Sequence, residues 1–333
     1  MTTSHDYQYS NRSIYGIKSD AVRYTWAGYL LFVLASSLIG DTIILIASIK
    51  CMAFKLHKVI VTIIQHIAFC DLMVTITGPV PNFVSLICNE WVFGNFLCHL
   101  RHYTGYYFNM ASILLICAMT TSKLLLLKYP LRFKAISAKK PHMVCGVCWL
   151  AATIMPVVFL LVAVFVGESI FHFSYISYTC EDGFTLDIWY WLKPLLTVLV
   201  VFIPNCLVVV TTIYLLVIAK EVARRGRESL KWQGIMTTVL TAVVYCISGL
   251  PYAVYNVGES IVSVDDESTS FFHVSYFRIA YSFLFLNTIS NFYIYSLSVN
   301  SFRDFIWSRM QQIWRMFTKT GTSDSQGKGK VFS

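Results

Sequence analysis

Charged side chains are scarce in this sequence: 13% of its 333 residues are Asp, Glu, Lys or Arg, against about a quarter in soluble globular domains. At the same time 56% of the residues are hydrophobic, which is more apolar surface than a soluble fold can cover. The sequence also lacks a phosphate-binding loop, an HExxH zinc motif and a Gly-x-Ser-x-Gly nucleophile motif. These absences argue against a soluble protein and predict that the chain is not an enzyme.

Seven apolar runs are each long enough to cross a bilayer, which takes about 20 helical residues. The sequence therefore predicts an all-α integral membrane protein, a seven-transmembrane helix bundle over residues 26–300 preceded by an extracellular segment at 1–25. The predicted spans are 26–49, 59–88, 97–127, 143–166, 189–219, 234–257 and 271–297.

The distribution of basic residues predicts the orientation of the bundle. With the N-terminus outside, the inner loops and tail carry 20 of the 26 Lys and Arg residues and the outer segments carry 6, as the positive-inside rule requires. The sequon at Asn11 then lies outside and is a candidate glycosylation site. We expect a multi-pass plasma-membrane protein whose +9 charge faces anionic inner-leaflet lipid, so a nucleic-acid partner is not needed to explain it.

Four further features are expected. Cys98 and Cys180 fall on the outer, oxidising side and are expected to form a disulfide, the alternative being two free thiols. Aromatic residues alternate with arginines over 301–317, which predicts an amphipathic helix on the inner leaflet. The polar segment 318–333 is expected to be disordered. The polar start shows no cleavable signal peptide, so we expect the first span to act as signal and anchor.

Short motifs in consecutive spans resemble those of the rhodopsin-like G-protein-coupled receptors. Each motif falls in the helix or loop where that family carries it, and the resemblance covers nearly the whole chain. It implies a ligand-activated receptor that couples to a heterotrimeric G protein. The matching segments are Ala68-Phe69-Cys70-Asp71, Trp91-Val92-Phe93-Gly94 with Cys98, Pro130-Leu131, Trp149, Phe202-Ile203-Pro204, Leu250-Pro251, Asn291-Phe292-Tyr293-Ile294-Tyr295 and Ser301-Phe302-Arg303.

The chain departs from the family pattern at several positions. Lys123, within Ser122-Lys123-Leu124, stands where the family usually has the arginine of Asp-Arg-Tyr, and lysine lacks the planar fork of arginine. Gly249 stands where a bulky tryptophan is usual. Asp41 replaces an asparagine, and Phe292 replaces the proline of the seventh helix. The resemblance therefore indicates a divergent member of the family.

Buried polar residues suggest an ion pocket in the middle of the membrane. By resemblance, Asp71, Ser112, Asn287 and Asn291 would line a sodium site, and their oxygen atoms suit a hard cation. A water-filled polar network without an ion is an equal alternative. Asp41 is expected close to Asp71, in which case one carboxyl would hold a proton. No cofactor other than sodium is expected.

The predicted coupling surface lies at the inner ends of the helices. By resemblance, Lys123, Lys220, Arg224 and Tyr295 would contact the G protein. The alternative for most of these basic residues is a role in setting topology alone.

The predicted ligand pocket lies between the outer halves of helices three, five, six and seven. It would include Arg101, Gly105, Tyr106, Asn109 and Glu181, although aromatic residues there also suit the membrane interface. Gly105 stands where amine receptors carry aspartate, which disfavours a monoamine, and the last span has no lysine to attach retinal. Acidic residues outnumber basic ones on the outer side, which favours a basic or amidated neuropeptide, or serves only solubility.

Two other functions are compatible with the sequence. The Asp41 and Asp71 pair would suit a seven-helix transporter, but the sequence shows no inverted repeat. The unusual residues at Lys123 and Gly249 would suit a receptor fold that does not signal and acts as a scavenger or heteromer partner.

Overall fold

A computed structural model of the protein describes residues 20–49, 57–136, 139–166, 171–174, 178–182, 195, 198–224, 232–259 and 267–326. Within these ranges the chain consists of helices and one two-stranded hairpin. The helices of the bundle are helix 1 (Asp20–Ile49), helix 2 (Lys58–Thr77 and Pro79–Cys88), helix 3 (Gly94–Lys128), helix 4 (Lys139–Ala152 and Ile154–Val166), helix 5 (π-helical Val198–Phe202 and Ile203–Arg224), helix 6 (Trp232–Glu259) and helix 7 (Glu267–Ser298). The short helix Pro130–Lys134 follows helix 3, and the amphipathic helix Asn300–Gln326 follows helix 7.

Helices 1 to 6 are each long and apolar enough to cross a membrane, by length and composition over the described residues. Helix 7 has 32 residues, and at about 1.5 Å per residue it is also long enough. It packs along helices 6, 1 and 2. The prediction of an all-α membrane bundle is confirmed.

The helix bounds differ from the predicted spans for local reasons. Helix 1 starts at Asp20, whose carboxylate suits a helix N-terminus and accepts a hydrogen bond of 2.9 Å from Arg23. Helix 2 is interrupted at Gly78, because Pro79 has no N–H to continue the ladder and instead opens the next segment. The last helix runs to Gln326, past the bound expected at residue 317, so part of the segment expected to be disordered is helical.

Gly40 in helix 1 permits a close approach of helix 7. A Cβ atom added to Gly40 would lie 2.7 Å from the Cβ and 2.9 Å from the Cγ of Phe292. Phe292 stands at the position where the sequence resemblance leads one to expect proline, and helix 7 is continuous there. The phenyl ring thus occupies the space that a side chain on residue 40 would need.

The hairpin covers one end of the bundle. Strand β1 (Phe171–Ser174) pairs antiparallel with β2 (Thr179–Asp182). Cys180 of β2 is joined by a disulfide to Cys98 at the start of helix 3, with 5.5 Å between the Cα atoms. Both cysteines are buried against Trp91 and Tyr103. The predicted disulfide is confirmed, and it fixes β2 over helix 3; we call this end of the bundle the hairpin end.

The opposite end carries exposed cations at the ends of helices 3, 4 and 5, namely Lys128, Lys139, Lys140, Lys220 and Arg224, and is called the basic end below. His57 caps helix 2 there, since its Nδ1 accepts a hydrogen bond of 3.3 Å from the Val59 N–H. Burial, with the neighbouring charge of Lys58, lowers the pKa of His57. The neutral imidazole that results at pH 7 keeps the lone pair that the cap needs.

The contact between helices 1 and 7 predicts unequal effects of adding a methyl group to two glycines of helix 1. Gly40→Ala should destabilise the protein by about 1–3 kcal/mol, because the Cβ overlaps Phe292 and the helices must separate. Gly28→Ala is the matched control, since no described atom lies within 4 Å of the position that its Cβ would take. Thermal unfolding of the two purified variants measures the difference. Equal melting temperatures would contradict the close contact.

Candidate functional site

Asp71 ties three helices together in the middle of the bundle. Its two carboxylate oxygens accept hydrogen bonds of 3.2 Å from the Ser112 hydroxyl of helix 3 and 2.7 Å from the Asn291 amide of helix 7. All three side chains are buried. The structure thus brings together three of the residues predicted for the ion pocket, and the carboxylate has two of the donors that a buried charge requires.

Asp41 of helix 1 lies in the same polar region. The Ser37 hydroxyl donates to the Asp41 carboxylate at 2.6 Å and lies 2.6 Å from the Thr75 hydroxyl of helix 2. Thr75 in turn donates to the backbone carbonyl of Asp71 at 2.9 Å. Asp41 and Asp71 are therefore linked through one serine and one threonine.

Several buried oxygen atoms around this network accept no hydrogen bond from the described residues. They include Oδ1 of Asp41, Asn287 and Asn291. Asn287 lies four residues before Asn291 and hence on the same face of helix 7. Oxygen acceptors without donors are the groups that a hard cation or bound water satisfies, so this region fits a sodium ion chemically.

Lys123 lies in the bundle interior near the basic end. The residue is only 5% exposed, and its Nζ donates a hydrogen bond of 3.0 Å to the backbone carbonyl of Gly234 in helix 6. Among the described side chains no carboxylate forms an ion pair with Lys123. This hydrogen bond connects helices 3 and 6 at the first turn of helix 6.

The other residues predicted for coupling lie in different surroundings. Lys220 and Arg224 are exposed at the end of helix 5. Tyr295 of helix 7 is buried, with its ring 6.3 Å from that of Phe302 in the amphipathic helix. The structure therefore places two of the four predicted coupling residues on the surface and two in the interior of the same end.

A cavity of about 110 Å³ lies beneath the hairpin, between helices 2, 3, 6 and 7. Arg101, Gly105 and Tyr106 of the predicted ligand pocket line it. The other lining residues come from helix 2 (Val74, Thr77), the break at Gly78, helix 3 (His102), β2 (Thr179, Cys180), helix 6 (Tyr252) and helix 7 (Tyr281).

Two residues predicted for the pocket are not placed in it. Asn109 is exposed and donates a hydrogen bond of 2.9 Å to the Gly105 carbonyl of its own helix, so it does not line this cavity. Glu181 pairs through its backbone with His172, and its side chain lies outside the described part of the structure. Asn11, the candidate glycosylation site, lies outside the described residues as well.

Sequence reasoning missed several residues that the structure assigns to the site. Ser37 precedes Asp41 by four residues and Thr75 follows Asp71 by four, so helical spacing alone could have placed each beside its aspartate. Tyr252 and Tyr281 meet across helices 6 and 7 with their ring centres 6.2 Å apart. Nothing in the sequence marked that pair among the many tyrosines.

Comparison with known proteins agrees with the observed bundle. Residues 43–295 match the model of a family described as "7 transmembrane receptor (rhodopsin family)". The matched range begins within helix 1, two residues after Asp41, and ends at Tyr295 of helix 7, and it includes all of helices 2 to 6.

Individual relatives are distant. The 2-oxoglutarate receptor 1 of Mus musculus is 24% identical over 249 residues, covering 72% of this chain and 71% of the relative. Octopamine receptor beta-2R of Drosophila melanogaster is 25% identical over 138 residues, covering 41% of this chain and 25% of the relative. Opsin-5 of Mus musculus is 28% identical over 96 residues, covering 28% of this chain. This chain thus spans about a quarter of the octopamine receptor and 26% of opsin-5.

Proposed function

Because the chain belongs to the rhodopsin family of seven-transmembrane receptors, we propose that it is a ligand-activated receptor that couples to a heterotrimeric G protein. The observation that carries this proposal is the buried hydrogen bond from Lys123 to the Gly234 carbonyl. It joins helices 3 and 6 at the basic end, so breaking it would free these two helices to move apart. A ligand acts on such an equilibrium by binding one arrangement more tightly than the other.

The basic end is proposed to face the cytoplasm of a cell whose plasma membrane holds the protein, with the N-terminus outside. The exposed cations at this end support that orientation. Lys220 and Arg224 are then positioned to meet a G protein at the surface, while Lys123 and Tyr295 act from within. The hairpin end faces outward and presents the cavity to an extracellular ligand.

The names of the relatives do not select one ligand class. They are named for octopamine and for 2-oxoglutarate, an amine and a dicarboxylate. Gly105 lines the cavity and offers no carboxylate to an amine. The hypothesis of a basic or amidated neuropeptide rests on the acidic residues of the outer segments, and no acidic side chain is among the described residues that line the cavity.

A receptor fold that does not signal is the second candidate. Two residues support it: Ser122, which stands beside Lys123 where the family has an acid, and Gly249, which lacks a bulky side chain. A Cβ added to Gly249 would lie 3.7 Å from the Asn205 amide nitrogen and within 4 Å of no other described atom. A protein of this kind would bind ligand without changing nucleotide exchange on a G protein.

We further propose that sodium binds beside Asp71. Asp71, Ser112 and Asn291 would hold the ion, with Asn287 and Asp41 as further oxygen donors. The buried oxygens without hydrogen-bond donors in this region support the proposal. A bound cation there would stabilise the resting arrangement of helices 2, 3 and 7 by mass action.

The sodium proposal predicts a salt-specific gain in stability. The melting temperature of the purified protein should be higher in NaCl than in KCl at equal ionic strength. Asp71→Asn should abolish the difference, because the amide keeps the shape but not the charge. Asp20→Asn, at the exposed start of helix 1, is the matched control and should preserve it. Identical melting temperatures of the unmodified protein in the two salts would refute the site.

The coupling proposal predicts higher basal signalling from Lys123→Met. Methionine approximates the length of the lysine side chain but removes the hydrogen bond to Gly234. Loss of a hydrogen bond to a charged group is worth about 1.5–3 kcal/mol, so the active population should rise about tenfold or more. Nucleotide exchange on G protein, normalised to surface expression, measures this rise.

Lys128→Met is the matched control for that experiment. Lys128 lies in the same helix, but its ammonium group is at the exposed basic end, over the rings of Tyr129 and Tyr214. Basal exchange should stay at the level of the unmodified protein. A Lys123→Met variant that reaches the surface without raising exchange would favour the receptor that does not signal.

A further inference from the structure

Arg101 enters the cavity beneath the hairpin with its guanidinium already oriented. One terminal nitrogen donates at 3.0 Å to the Cys180 carbonyl and the other donates at 2.7 Å to the Tyr281 hydroxyl. Both partners are neutral, so neither balances the charge. Arg23 with Asp20 is the only ion pair among the side chains that the structure describes. A partly buried guanidinium without a counter-ion is costly and attracts an anion.

Two polar atoms at this cavity have unused hydrogen-bonding capacity. The Nε of Arg101 is buried and donates to no described residue. Thr179 is 2% exposed, lines the cavity, and its hydroxyl has no hydrogen-bond partner among the described residues. One is a charged donor and the other is a hydroxyl, and a carboxylate can accept from both.

The other residues that line the cavity limit the size and the chemistry of the ligand. Tyr106, Tyr252 and Tyr281 supply aromatic surface, and Gly105 leaves open space, since no described atom lies within 4 Å of the position that a Cβ on it would take. The cavity of about 110 Å³ is smaller than the roughly 300–1,000 Å³ of pockets for drug-sized ligands. It suits a compact group rather than a folded peptide.

We infer that this cavity binds a carboxylate, held by the Arg101 guanidinium and the Thr179 hydroxyl, and that this carboxylate is the recognition element of the activating ligand. The second part rests on the proposed function. The carboxylate belongs either to a small organic acid or to the free C-terminus of a peptide whose last residue enters the cavity.

The same arginine links the ligand to helix 6. Arg101 holds the Tyr281 hydroxyl, and the Tyr281 ring contacts the Tyr252 ring of helix 6. A carboxylate that takes donors of Arg101 competes with the Tyr281 hydroxyl for them. Release of Tyr281 changes its packing on Tyr252, which lies next to Pro251 inside helix 6.

Binding is tested on the purified protein with matched pairs of probes. Succinate, 2-oxoglutarate and benzoate are each compared with the corresponding neutral amide, at constant ionic strength, by the shift in melting temperature. At least one acid should stabilise the protein in a concentration-dependent manner and its amide should not. A second set compares short peptides ending in Phe or Tyr with a free or an amidated C-terminus.

The variants distinguish this site from general anion effects. Arg101→Gln should weaken the apparent affinity for the acid about tenfold or more, because it removes a charge-assisted hydrogen bond. Arg101→Lys keeps the charge but lacks the planar fork of arginine, so its affinity for the acid should lie between those of the unmodified protein and Arg101→Gln. Thr179→Val should weaken binding while preserving the fold. Arg23→Gln is the matched control and should leave the affinity unchanged.

The outcomes separate the site from the signalling proposal. Stabilisation by acids or free C-termini that is lost in Arg101→Gln supports the site, and the chain length of the effective probe identifies its source. Equal shifts by acid and amide, no shift by any acid or free peptide, or tighter binding of amidated peptides would overturn the inference. Binding without altered nucleotide exchange would leave the carboxylate site intact and refute the signalling role.

Discussion

The hydrocarbon core of a membrane offers no hydrogen bonds, so a polar side chain within it is costly unless it finds a partner in the protein. In this bundle that constraint determines which faces of the helices meet. Asp71 of helix 2 is satisfied by Ser112 of helix 3 and Asn291 of helix 7, and Lys123 of helix 3 by a carbonyl of helix 6. Each of these contacts crosses between helices, so the polar residues fix the arrangement of an otherwise apolar assembly.

Helix 3 makes polar contacts with its neighbours at three depths in the bundle. Arg101 joins it to the hairpin and helix 7, Ser112 joins it to helix 2, and Lys123 joins it to helix 6. The disulfide at Cys98 anchors its first turns. The proposed ligand site at Arg101 and the proposed G-protein surface at the basic end therefore both involve helix 3. The two ends of the bundle would be coupled if the contact of helix 3 with helix 6 and its contact with helix 7 change at the same time.

Features of the fold could be predicted from the sequence where they depend on neighbouring residues of the chain. Apolar runs located the helices, and an aspartate in mid-membrane marked the network around Asp71. Contacts between helices had no such signal: the approach of Phe292 to Gly40 depends on how two distant helices pack. The acceptor for Lys123 is the backbone of Gly234, which no residue type reveals. The sequence predicts Asn109 in the pocket, but the rotation of helix 3 leaves this side chain exposed, where it donates to the Gly105 carbonyl.

We propose that Lys123 holds helix 6 against helix 3 in the resting state, and a measured distance between these two helices provides a test. Spin labels at Leu125 and Met236, which are 43% and 42% exposed, report it by pulsed electron resonance in lipid nanodiscs. The labelled protein should show one short distance, and Lys123→Met should add a population at a longer distance. Identical distributions, with the protein folded and its disulfide formed, would contradict the claim.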